Sequence, residues 1–443
     1  MSKPVQVFEY ETLVVGEQGF GVNHFEALVR YNDRHGCQFF TVGNQRLHFL
    51  NYVGVIQVGG LSIEILPKAD KGATTDALKL KWRNALLQML RRSGLLHVEA
   101  APEADLHLQQ SPLVDLYLDA FLSEVERLSH EGLVKKYRTI QANLYKLKGR
   151  ILFGQHLRRN LLHRERMYTA HEIYDRDNVF NRVLKCAMGI VGRLAIQPSL
   201  VTRGAVQSLA LESVSESRIT SELSDKLVFD RNTERYRRAI QLARLIILNY
   251  SPDLRGGREH VVSILLDMNK LFERFILVQL KQAQAKFADQ NLRITGQSQK
   301  RFWGSKSLRP DVVVDFDGPE NRERVILDTK WKIPRDGQPS DNDLKQMYAY
   351  NLQFGSRLSV LLYPCSDSGQ VQVSQPFACS DALPDYPHAC ATHYVNLFDD
   401  SLQLRRDIGE ELVREVILAN QKGREQDHAV RAAAKLALLN RAS

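Results

Sequence analysis

Arg309-Pro310-Asp311-Val312-Val313-Val314-Asp315, followed after a charged turn by Val325-Ile326-Leu327-Asp328-Thr329-Lys330, decides how this chain is read. Both runs are rich in β-branched residues, and Asn321 with its charged neighbours supplies a turn between them, so two adjacent strands are predicted. Side chains alternate faces along a strand, so Asp328 and Lys330 point one way and Thr329 the other, into the body of the sheet. Neighbouring strands then bring Asp311 to the same place.

Two carboxylates and an ammonium at one spot have a definite chemistry. Carboxylate oxygens are hard ligands suited to Mg²⁺, with Mn²⁺ as a substitute. Such an ion would hold a water, lower its pKa and neutralise charge building on a scissile phosphate. Asp311 and Asp328 are the expected metal ligands, with the Thr329 carbonyl completing the shell. Lys330 would orient or deprotonate the attacking water, or stabilise the phosphorane by its charge. The plain alternative is a surface ion pair at a strand end, worth little. The buried flanking run, the upstream Pro-Asp and the helix that follows all weigh against that alternative.

That helix begins at Ser340-Asp341-Asn342-Asp343, a good N-cap with an acidic first turn, and carries Gln346 and Tyr350 four apart on one face. A Q-x-x-x-Y helix behind this core resembles RecB-like members of the restriction-endonuclease-like nucleases. The resemblance implies that Gln346 and Tyr350 line the site or touch the DNA strand, whereas Tyr348 reads as a packed tyrosine. Upstream, Leu265 to Leu280 repeats apolar residues at helical period, with Glu273 at the margin of the stripe. Glu273 is either a further metal or water ligand, as in several nucleases of that superfamily, or a partner of Arg274 or solvent.

The chain has 443 residues, 44% of them hydrophobic, enough for two or three domains with buried cores. A net charge of +9 favours a polyanionic partner. The cysteines Cys37, Cys186, Cys365, Cys379 and Cys390 are odd in number and scattered, and no apolar leader opens the chain, so a reducing cytoplasm is expected. Cys379, His388, Cys390 and His393 cluster in sequence but match no familiar zinc spacing. No apolar run is long enough to span a membrane, and no Walker-type phosphate loop occurs, so any nucleotide-driven step belongs to a partner.

Along the chain, Val5 to Leu66 alternates in short runs broken by Gly and Asn, and Asp76 to Arg91 has helical period. Val98 to Pro112 reads as a joint, and Val114 to Ala243 as mainly helical. Asn249 to Gly257 reads as a linker, and Asn420 to Ala442 as a helical tail. A basic run including Lys146, Lys148, Arg150, Arg158 and Arg159, interleaved with Tyr137 and Tyr145, could track a phosphate backbone, meet an acidic partner or form a solvated helix face. The expectation is a multidomain α+β chain. Residues 1–105 would be a small β-rich N-terminal domain, and 106–250 a mainly helical region for partner docking. Residues 251–443 would be a C-terminal α/β restriction-endonuclease-like, or PD-(D/E)xK, domain with a central mixed sheet flanked by helices.

Four segments, in order, resemble the McrC family, the nuclease subunits of McrBC-type modification-dependent restriction systems. They are Val53-Gly54-Val55-Ile56 with Ile63-Glu64-Ile65-Leu66-Pro67-Lys68; Lys148-Gly149-Arg150-Ile151; Asp175 to Lys185, containing Asn181-Arg182; and the core through Tyr350. The resemblance implies that the N-terminal and helical parts dock on a hexameric AAA+ GTPase of the McrB type and stimulate it. That partner would recognise methylated double-stranded DNA and translocate, GTP acting only through it. Asp311, Asp328 and Lys330 would cut. The alternatives are a stand-alone RecB-like repair or recombination nuclease and a non-enzymatic activator of the GTPase.

Overall fold

The computed structural model describes residues 4–34, 36, 39–68, 75–96, 112–217, 219, 227–251, 261–317, 322–334, 337–365, 373–377 and 386–418. Asn321, Cys37, Cys379, most of the expected joint, residues 252–257 of the expected linker, and the tail from Asn420 lie outside them.

The N-terminal part is built on a five-stranded sheet in the order Val5–Phe8, Leu61–Leu66, Tyr52–Val58, Val261–Asp267, Tyr250–Ser251. Its central strand is buried along nearly its whole length because both faces are covered. Ile56, Val58, Ile63 and Ile65 pack with Leu28 and Tyr31 of the Val22–Arg34 helix, which the alternating pattern did not announce. Val53, Val55 and Leu66 face the main core. Val261–Asp267 runs antiparallel to Tyr52–Val58, from Val261 opposite Val58 to Asp267 opposite Tyr52, so this sheet crosses the boundary drawn at residue 250. Gly54 permits that pairing: its φ is +135°, and a Cβ there would stand 2.2 Å from the Ile264 carbonyl oxygen.

Helices Leu113–His130, Val179–Leu194, Pro198–Ala210 and Arg237–Leu248 form the middle layer, burying Phe121, Val125, Leu184, Ala187, Val191 and Ile240. The Asn178-Val179-Phe180-Asn181-Arg182 segment locks the start of one of them. Asn178 Oδ1 accepts from the backbone of Phe180 and Asn181, Asn181 Nδ2 donates to the carbonyls of Val134 and Arg176, and Arg182 pairs with Asp177. Those bonds account for the motif's residues by structure alone.

The mainly helical expectation fails between residues 136 and 175. Lys136–Leu144 pairs antiparallel with Met167–Asp175, Arg150–Ile151 adds a third short strand, and only Phe153–Asn160 is helical. Exposure alternates along Lys136–Leu144, with Tyr137, Thr139 and Gln141 exposed and Arg138 and Ile140 half-buried, but Tyr137 and Ile140 are three apart and on opposite faces, so the strand signal in the sequence is its Tyr, Thr and Ile content rather than a hydrophobic period. Gly149 of the Lys-Gly-Arg-Ile step sits at φ +72°, where a Cβ would lie 2.4 Å from the Ala170 carbonyl oxygen.

The C-terminal part runs helix Met268–Gln284, strands Arg293–Gly296, Val312–Asp317 and Arg322–Thr329, helix Asp341–Phe354, then strand Leu358–Cys365. Its six-stranded sheet has the order Arg293–Gly296, Val312–Asp317, Arg322–Thr329, Leu358–Cys365, Ala389–Asn396, Val373–Pro376. The first two pairings are antiparallel and the next two parallel. Val312, Val314, Val325 and Leu327 pack in the main core with Phe272, Phe275 and Ile276 of the first helix. Val313 and Ile326 pack on the opposite face with Met347, Tyr350 and Phe354 of the second.

Candidate functional site

Alternation along Arg322–Thr329 places Asp328 and Lys330 on the same face as Ile326, toward the Asp341–Phe354 helix. Asp328 is 2% exposed and its Oδ2 lies 2.6 Å from Lys330 Nζ. Lys330 Nζ donates to Gln346 Oε1 at 3.0 Å, Gln346 Nε2 donates to the Tyr350 hydroxyl at 2.7 Å, and that hydroxyl donates to the Arg309 carbonyl at 3.0 Å. Four of the sequence-derived residues therefore form one connected chain that returns to the Arg-Pro-Asp segment.

Asp311 enters from the neighbouring strand. Its Oδ2 accepts from both the Thr329 amide and the Thr329 hydroxyl, each at 2.7 Å. Thr329, which faces away from Asp328, thus orients the other carboxylate, a use of its side chain that the motif did not show. Burial, and after it the Asp311 charge, raises the Asp328 pKa against the opposing pull of Lys330. Two carboxylates held close in a partly dry site, one of them resisting ionisation, form a donor set that a divalent cation would relieve.

Glu273 sits near Asp311. Its carboxylate accepts from Gln297 Nε2 at 2.6 Å, and burial followed by the Asp311 charge raises its pKa. Arg274 turns elsewhere, donating to the Ser93 carbonyl at 2.9 Å. Tyr350 is 3% exposed, so its ring is packing and its hydroxyl a structural link within the site. Tyr348 packs edge-on against Phe377 and at a tilt against His388.

Asp343 was not singled out. It lies 3.8 Å from Lys330 Nζ, bonds Lys332, and accepts from Ser340 Oγ at 2.7 Å. Burial works against its charge, but the Lys332 and Ser340 bonds and the nearby lysines outweigh that and lower its pKa. The Ser-x-x-Asp spacing at a helix start is a capping signature that could have marked it. The strand is also tied to the N-terminal part, since Trp331 Nε1 donates to Glu9 Oε1 at 2.6 Å and the Lys68 amide donates to the same oxygen at 3.0 Å.

Lys146, Lys148, Arg150, Arg158 and Arg159 are all exposed, and they lie on the small β arm rather than on one helix face. Arg159 stacks over the Tyr168 ring. The arm also exposes Tyr145, Phe153, Leu157, Leu161 and Leu162, the last at 89%. So much apolar surface beside positive charge is unusual on a solvated face.

Of the sequence cluster read for zinc, His388 bonds Asn351, while Cys390 and His393 are three apart on one strand and so face opposite sides of the sheet. Among the described residues, no helix is long and apolar enough to cross a membrane.

The fold and site define a multidomain α/β protein whose C-terminal mixed sheet carries two carboxylates and a lysine on adjoining strands. A family model for the McrBC 5-methylcytosine restriction system component matches residues 47–364, and the chain belongs to that family. Among solved structures, the refined half-complex from a tetradecameric assembly of Thermococcus gammatolerans McrB AAA+ hexamers with bound McrC shares its fold, with a TM-score of 0.62 at 17% identity over 94% of this chain and 99% of that one. A chain of the Thermococcus gammatolerans McrBC complex aligns with a TM-score of 0.46 at 19% identity, over 63% of this chain and 88% of that one. No curated protein matches the chain.

Proposed function

We propose that this restriction component is the DNA-cleaving subunit, hydrolysing phosphodiester bonds of duplex DNA with Mg²⁺ when docked on an AAA+ GTPase of the McrB type. The observation that carries the reading is the connected Asp328, Lys330, Gln346 and Tyr350 chain, set against an Asp311 carboxylate that Thr329 holds in place. The order helix, three antiparallel strands, helix, parallel strand supports a restriction-endonuclease-like domain around it.

The residues fit a hard divalent cation. Asp311 and Asp328 would hold it, with Glu273 as a further oxygen donor and Mn²⁺ as a substitute metal. Mg²⁺ would supply charge for the phosphate and an acidified water. Lys330, kept between Asp328 and Gln346, places an ammonium beside the reacting phosphate, where it orients the nucleophile and offsets developing negative charge. Gln346 and Tyr350 keep that lysine from collapsing wholly onto the carboxylates.

The exposed basic and apolar arm supports a docking role, since it holds side chains that a single chain leaves in water. The partner would read the methylated DNA and consume GTP.

The test is cleavage of methylated and unmethylated plasmid with Mg²⁺, with and without the AAA+ partner and GTP, beside the Asp328→Ala variant. Cutting of methylated DNA in the full mixture alone, abolished by the substitution, supports the proposal. Trimming of free ends by the isolated chain points instead to a repair nuclease. Stimulated GTPase without any cutting points to an activator.

A further inference from the structure

We propose that His393, Glu411 and Glu415 form a second divalent-metal site, of the Zn²⁺ type, that pins the Ile408–Leu418 segment to the C-terminal sheet. The site does not rest on the nuclease reading and uses none of its residues.

His393 lies on the Ala389–Asn396 strand opposite Leu362, on the face that carries Val395 and the main core. It is 2% exposed, yet among the described residues neither ring nitrogen has a hydrogen-bond partner. A buried imidazole normally bonds through at least one nitrogen, so both standing unused is the feature that asks for a ligand. Burial pushes its pKa down to about 4, so the ring is neutral and its lone pair available to a metal at neutral pH.

Two carboxylates converge on it. Ile408, Leu412, Val413, Val416 and Ile417 are buried in the main core, which fixes the segment and leaves Glu411 and Glu415, one helical turn apart, toward the strand. One ligand atom from each of His393, Glu411 and Glu415 lies within 4.8 Å of the other two. A tetrahedral zinc with bonds of ~2.0–2.2 Å spaces its donors about 3.4 Å apart, so a small inward rotation of two glutamate side chains closes the shell. Glu415 is exposed, which leaves a solvent side for entry and for a fourth ligand.

Glu411 pairs with Arg405. Arg405 also holds Asp407 at 2.8 Å, so it keeps a carboxylate partner when Glu411 turns to the metal. One imidazole and two carboxylates favour Zn²⁺ over Mg²⁺, because nitrogen suits the softer ion and Mg²⁺ prefers oxygen and water. The row Thr329, Leu362, His393 crosses the sheet in register, so the zinc would lie on the same sheet as Asp328 but two strands away.

The experiment is calorimetric titration of Zn²⁺ into the metal-stripped full chain carrying Asp311→Asn and Asp328→Asn, which silences the other candidate site. The expected result is one Zn²⁺ per chain, retained in excess Mg²⁺, with a rise in thermal midpoint. Adding Glu415→Gln, at an exposed position that leaves folding intact, should weaken binding by at least about tenfold. Glu411→Gln should do the same. No zinc bound by the silenced chain, or binding indifferent to both glutamate variants, overturns the site.

Discussion

Gln346 Oε1 stands 3.0 Å from Lys330 Nζ, which also lies 2.6 Å from Asp328 Oδ2. Without that acceptor the lysine would settle on Asp328 and Asp343, both within ion-pair reach. Gln346→Ala should therefore lower the cleavage rate by about 10- to 100-fold, the usual cost of losing a group that orients a site residue. Single-turnover cleavage together with a melting curve would separate this from misfolding. A rate unchanged within twofold would remove Gln346 from the site.

Asp311 and Asp328 carry different supports, Thr329 for the first and Lys330 for the second. Asp311→Ala and Asp328→Ala should each abolish cleavage while leaving stimulation of the partner's GTPase intact. Thr329→Val keeps the amide bond to Asp311 but loses the hydroxyl one, and a loss of about tenfold is expected from one hydrogen bond to a charged group. Loss of GTPase stimulation in the aspartate variants would defeat the separation of cutting from docking.

Glu9 joins the N-terminal strands to the segment following Asp328 through Trp331, and burial pushes its pKa up from 4.5 to about 7 despite the lowering bonds from Lys68 and Trp331. The folded state therefore keeps a proton that the unfolded chain releases. The stability that proton supplies is complete below about pH 4.5 and is lost as pH rises through about 7. Glu9→Gln keeps an acceptor for Trp331 without the charge. Urea unfolding should show the variant gaining on the parent as pH rises from 5 to 8, by up to about 3 kcal/mol at roughly 1.4 kcal/mol per pKa unit. An equal difference at both ends of that range would contradict it.

The arm contributes little to the core, since its basic side chains are exposed. Lys148→Glu with Arg158→Glu should abolish stimulation of the partner while shifting the melting temperature by no more than about 2 °C, because exposed substitutions usually stay within about 0.5 kcal/mol. Copurification with the AAA+ protein and GTPase assays would read this. A uniform loss of DNA affinity with the partner interaction preserved would make the arm a DNA contact.

Local periodicity determined a good deal by itself. The β-branched runs around Asp311 and Asp328 are strands, Ser340 caps a helix, and Asp328 and Lys330 share a face, because alternation and capping depend only on near neighbours. Helix-rich flanks hid the β arm, whose exposure alternates along the strand although its apolar residues do not alternate in the sequence. Tertiary structure alone decided the rest. Thr329 reaches Asp311 across a strand pair, and Trp331 meets Glu9 from 322 residues away. Val261–Asp267 completes a sheet begun at Val5, and His393 faces Glu411 and Glu415 rather than the cysteines near it in sequence. Such pairings follow from which apolar faces bury one another, a free energy summed over the whole core that no short stretch of sequence contains.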